Sequence, residues 1–78
     1  MRVEHLCDLF RRAAAAAGHA DAWMEYFSGR FGVPRTSVES LATEPIPADE
    51  PAARRLAARH GVDGWLLWHV IRQRGASG

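Results

Sequence analysis

The sequence predicts an all-α fold, a compact single domain of four to five short helices. Three observations predict it. Apolar residues recur at spacings of three and four along most of the chain, the periodicity of a helix with one buried face. Gly18, Gly32, Gly61 and Gly75 fall at the ends of these periodic segments, and Pro45 and Pro47 fall between them. No segment shows the apolar–polar alternation, bounded by turns, that marks a strand. The 78 residues make one small core, so stability depends on good packing or on a partner.

Taken in order, Val3, Leu6, Cys7, Phe10, Ala13, Ala14 and Ala17 form the first apolar stripe. The alanine run gives that segment high helix propensity, and Gly18 is placed to end it. Arg11 and Arg12 lie off the stripe and face solvent. Asp21 is the expected cap of a second helix over about 22–31, with Trp23, Phe27, Arg30 and Phe31 on one side and Tyr26 beside them. Gly32 stops it, Pro34 suits the next start, and a short helix runs from about 35 to 43. Residues 43–51, TEPIPADEP, hold three prolines and no periodicity, and form a linker inside the domain. Asp49 caps the following helix, Pro51 lies in its first turn, Glu50 and Arg54 pair one turn apart, Leu56 is its main apolar residue and Gly61 ends it. Asp63 caps the last helix, with Val62 and Leu67 placed as a hydrophobic staple. Arg72 and Arg74 complement its C-terminal dipole, and Gly75 ends it. Residues 1–75 are thus one helical domain, and 76–78 are expected to be a disordered tail.

Composition narrows the function. The net charge of +1 is far from the strongly basic balance that by itself points to nucleic acid. All ten basic residues are Arg, and Asn is absent as well, which fits a GC-rich genome, bacterial or phage. Arg supplies rigid donor forks for phosphate or carboxylate. Cys7 is alone, so no intramolecular disulfide forms. No apolar run reaches the length of a membrane span, and Glu4, His5 and Asp8 interrupt any signal-peptide core. The expected setting is cytoplasmic.

The stretch SGRFGVPRTSVESL carries the most specific pattern. Phe27 is the inner residue of one helix, Ser28 the small residue where two helices cross, and Gly32 the turn glycine. Val33 is the buried residue after it, and Val38 with Leu41 makes the inner face of the next helix. On these positions residues 24–41 resemble the bacterial helix-turn-helix DNA-binding superfamily. In that superfamily the second helix enters the major groove with its N-terminal residues against the bases. The resemblance implies a small transcriptional regulator. Arg35, Thr36 and Ser37 would face DNA, joined outward by Glu39 and Ser40, and Arg30 with Arg11 and Arg12 would contact phosphate. Acids at Glu39, Glu44, Asp49 and Glu50 near that helix run against phosphate binding. A weak repeat accompanies the pattern: Phe27, Ser28, Arg30, Val38 and Leu41 match Leu56, Ala57, Arg59, Leu67 and Val70 at one offset. The second copy lacks the polar outer face of a reading helix.

GWLLWHVI, residues 64–71, points to another class of function. Leu66, Leu67, Val70 and Ile71 make one face, while Trp65, Trp68 and Arg72 follow at spacings of three and four on an adjacent one. Such a wide apolar arc is either a central core helix or a partly exposed surface that holds a larger protein or a second copy of the chain. In the latter case the protein is an adaptor or a phage- or mobile-element-encoded inhibitor, with the acidic linker as an electrostatic complement.

His5 and Cys7, His60 and His69 match no regular metal-ligand spacing, so no metal and no cofactor are expected. There is no phosphate loop, nucleophile elbow or metal-ligand helix, and the paired acids lie in the proline-rich linker, a poor frame for acid–base chemistry. The chain is expected not to be an enzyme.

Overall fold

A computed structural model describes residues 4–76, with side chains to Gln73. The chain forms α1 (Leu6–Ala16), a 3-10 turn (Ala20–Ala22), α2 (Trp23–Phe31), α3 (Arg35–Ala42), α4 (Glu50–His60) and α5 (Gly64–Ala76). The all-α expectation holds. Its radius of gyration, 11.5 Å, is that of a close-packed globule of this length.

Sequence explains the helix ends locally. Gly18, Gly32 and Gly61 all have positive φ. After each, the chain turns back with the bond pattern of a Schellman cap: His19 donates to the Ala14 carbonyl, Val33 to Ser28 and Val62 to Ala57. Gly75 differs, because α5 continues through it to Ala76. A terminal glycine ends a helix when the residue after it can fold back onto the protein. Val62 is buried and His19 stacks on Tyr26. Ala76 is the last helical residue described, one past the expected stop at Gly75, and residues 77–78 of the expected tail lie outside the described residues, as do Val3 and the Arg74 side chain.

At the helix starts, Asp49 accepts the Ala52 amide at 2.9 Å, and Asp63 accepts those of Trp65 and Leu66 at 2.8 and 3.2 Å. Asp21 does not cap. The chain enters α2 through the 3-10 turn, so Ala22 occupies the cap position and Asp21 stays exposed in the turn.

The core gathers all five helices. α1, α2 and α3 each touch the other two, α4 packs chiefly on α5, and α3 on α4 and α1 on α5 join the two groups. Phe10 and Phe27 are its centre, with rings 4.5 Å apart, flanked by Phe31 and Trp23. Each fully buried Phe contributes roughly 1.5–3 kcal/mol. Leu6, Val38, Leu41 and Leu67 are also fully buried. Val33, expected to be buried, is half-exposed at the turn.

The linker is tied at its first half. Leu6 donates to the Glu44 carbonyl at 2.9 Å and Ile46 to the Glu4 carbonyl at 3.2 Å, making a one-rung antiparallel bridge between His5 and Pro45. Among the described residues this bridge is the only strand-like pairing. The Glu44 carboxylate meets His60 at 3.0 Å and Arg59 at 3.9 Å, which holds the linker against the end of α4.

Candidate functional site

Three surfaces carry residues whose chemistry suits binding. The first is the hairpin of α2 and α3. Gly32 and Pro34 make the turn possible: glycine takes the left-handed conformation at φ +67, and Pro34 sets the extended entry into α3. The Ser28 hydroxyl donates to the Val33 carbonyl and locks the turn from inside. Val38, Leu41 and Ala42 then face the core, which turns Arg35, Thr36, Glu39 and Ser40 outward, with Ser37 half-buried. Arg35 does not stand free. Its guanidinium meets the Glu25 carboxylate of α2 at 3.1 Å, both side chains more than half exposed. Arg30 donates to the Tyr26 hydroxyl at 3.2 Å and lies 5.8 Å from that ring's centre.

Charge on the rest of the surface is matched in part. Arg12 pairs with Glu4 at 3.0 Å and Arg54 with Glu50 at 2.8 Å, the latter as the sequence spacing predicts. Glu44 faces Arg59 and His60, and Asp49 is a helix cap. The linker acids, offered by the sequence as a surface for a partner or as a source of repulsion, are therefore engaged within the fold. On α3, Glu39 has no ion pair among the described residues. Arg11, Arg55 and Arg72 are likewise exposed without a carboxylate partner among them.

The second surface is the outer stripe of α5, where the structure divides the predicted trio. Trp65 is 58% exposed, while no other large apolar residue among those described is exposed. Its ring stacks on His69 of the next turn, 5.2 Å away and nearly parallel at 8°. Arg72 is exposed three residues further on. Trp68 is half-buried and packs against the core with Leu66, so it acts mainly as a support. Leu67, Val70 and Ile71 are buried and fix the rotation of the helix that turns Trp65 outward.

The third surface was not singled out from the sequence. An open cleft of about 460 Å³ runs between the N-terminal turns of α1 and α2 and the outer side of α3. Cys7, Trp23, Met24 and Ala42 form its apolar walls; His5, Asp8, Glu39 and Thr43 border it. Trp23 and Met24 are adjacent in sequence, so helical periodicity assigns them to different faces; the pairing of helices puts both on one cleft. A smaller hollow, about 230 Å³, lies over Ala13, Ala16 and Ala17, with Tyr26, Arg30 and Gln73 at its edge.

The histidines are dispersed: His19 stacks on Tyr26 at 4.8 Å, His60 binds Glu44 and His69 carries Trp65. Among the described residues no three potential ligands converge as a metal site, and no described helix is long and apolar enough to cross a membrane. In comparison with known proteins, the chain matches no family model, no curated protein and no solved structure.

Proposed function

We propose that the chain is a small protein-interaction module that holds a larger protein through the outer stripe of α5. Exposed Trp65 carries the reading. A large apolar ring left in water costs stability that burial against a partner regains, and Trp is enriched at the energetic centres of protein interfaces. The stack on His69 keeps the indole from sampling many rotamers, so less entropy is lost on docking. Arg72 adds an unmatched cation one turn beyond. The near-neutral charge, lone cysteine and all-Arg composition suit a cytoplasmic adaptor or inhibitor of bacterial or phage origin. Trp65→Ala tests this. The variant keeps the helical circular dichroism spectrum and loses capture of the partner; capture at the wild-type level refutes the role of α5.

A second reading, a DNA-binding regulator, is favoured by one observation. α1, α2 and α3 pack mutually, and the closed hairpin presents Arg35, Thr36 and Ser40 outward, the frame in which helix-turn-helix proteins offer a reading helix. The Arg35–Glu25 bridge is solvent-exposed and worth only about 0–1 kcal/mol, so a guanine or phosphate can displace Glu25 cheaply. Glu39, one turn on, opposes phosphate. A gel shift that weakens between ~50 and ~200 mM salt and is lost in Arg35→Ala supports this reading. A homodimer through α5 is compatible with both.

A further inference from the structure

We infer that the cleft between α1, α2 and α3 is a second docking site, and that it takes a basic amphipathic segment of a partner protein. Two independent features of the cleft lead there. Its walls are apolar and adaptable: Cys7 from α1, Trp23 and Met24 from α2 and Ala42 from α3, around about 460 Å³ of open space. Methionine reshapes to fit irregular side chains, and an apolar groove of this kind is where one face of an amphipathic helix lies.

The border supplies the sign of the charge. Asp8 and Glu39 are both exposed and both border the cleft. Neither has a cationic partner among the described residues, although Glu4, Glu25, Glu44 and Glu50 all do. Asp8 closes the capping box of α1, where it accepts the His5 amide at 3.5 Å, and carries no cation among the described residues. Unmatched carboxylates on two of the three helices that border an apolar groove select a partner whose apolar anchor is flanked by Arg or Lys. They reject acidic peptides, nucleic acid and anionic lipid surfaces, which carry the same sign as the border. The cleft shares no residue with the Trp65 stripe, so the two surfaces work independently and the module can bridge two partners.

Cys7 provides the readout, because it is the sole cysteine and lines the cleft. The rate at which a small maleimide labels its thiol reports occupancy there directly. Two short synthetic helical peptides serve as probes, one of Leu, Ala and Arg, the other with Glu in place of every Arg. The expected result is that the basic peptide slows labelling severalfold at saturation, the acidic one does not, and protection weakens between ~50 and ~200 mM salt. Glu39→Arg is expected to raise the half-protecting concentration of the basic peptide tenfold or more. Glu39→Gln, which alters the fold less, should raise it several-fold and stands as the control against misfolding.

Equal protection by both peptides overturns the charge argument, and protection by neither overturns the site. A further overturning result is that the unlabelled protein itself protects Cys7, in a manner lost in Trp65→Ala; the cleft would then take a second copy. The two peptide outcomes do not depend on capture through α5, so failure there leaves that reading standing, whereas self-protection lost in Trp65→Ala overturns the cleft proposal and assigns the Trp65 stripe to a second copy.

Discussion

Gly29 and Gly32 are three positions apart and affect stability in opposite ways. Gly32 ends α2 at φ +67, where a Cβ meets no neighbouring atom, so the cost of replacing it is conformational and not steric. Gly32→Val should destabilise by at least roughly 1 kcal/mol, since a β-branched residue strongly resists that conformation. Gly29 is exposed inside α2 with open space at its Cβ. Gly29→Ala should therefore stabilise by about 0.5–1 kcal/mol. Urea unfolding midpoints measure both; a neutral Gly32→Val means that the turn is not as described. The two α5 tryptophans separate in the same assay. Trp65→Ala should stay within about 0.5 kcal/mol of wild type, while Trp68→Ala, half-buried against the core, should cost roughly 2 kcal/mol. Residue identity alone did not distinguish them. Both lie on one arc in the sequence, and only the packing of α4 and α1 on α5 decides which is covered.

At the scale of elements, the two hairpins repeat each other. Gly32-Val33 and Gly61-Val62 join α2 to α3 and α4 to α5 with the same cap, and Phe27, Val38 and Leu41 are buried like Leu56, Leu67 and Val70. This much was legible because helix ends are local: an Asp that accepts amides two or three residues on, or a Gly followed by an apolar residue, is visible in a few letters. Asp49→Ala should thus lower stability by about 1 kcal/mol, read as a shift of the thermal midpoint. Asp21 shows the limit of the rule, since an intervening 3-10 turn moved the helix start past it. The tie between the N-terminal segment and the linker was not legible, because its partners are some 40 residues apart and the bonds are between backbone groups. If Glu44 anchors that tie through His60, Glu44→Ala should speed amide exchange at Leu6 and Ile46 while α5 remains protected. Unchanged exchange there would mean that the backbone bonds suffice alone.

For the whole molecule, the surface is described by which charges remain unmatched. The sequence shows ten arginines and nine acids but not their pairing. Folding brings Arg35 to Glu25 and Arg59 to Glu44, and leaves Glu39 and Asp8 beside an apolar cleft and Arg72 beyond an exposed tryptophan. Arg35 is the one arginine of α3, so its pairing with Glu25 leaves that helix without an unmatched cation among the described residues. Ser37, expected to face outward, is half-buried, but the exposure of Arg30, Arg35 and Thr36 was legible from a short motif. The cleft was not, because three helices contribute to it.

The most direct test of the α5 reading is one capture experiment from lysate of the source organism with three immobilised proteins: wild type, Trp65→Ala and Arg35→Ala. All three must first show the same helical spectrum. The expected result is that one protein partner is held by wild type and Arg35→Ala, survives nuclease treatment and is lost with Trp65→Ala. Capture of DNA that salt releases, that Trp65→Ala retains and that Arg35→Ala loses would contradict it and make the chain a reader of DNA.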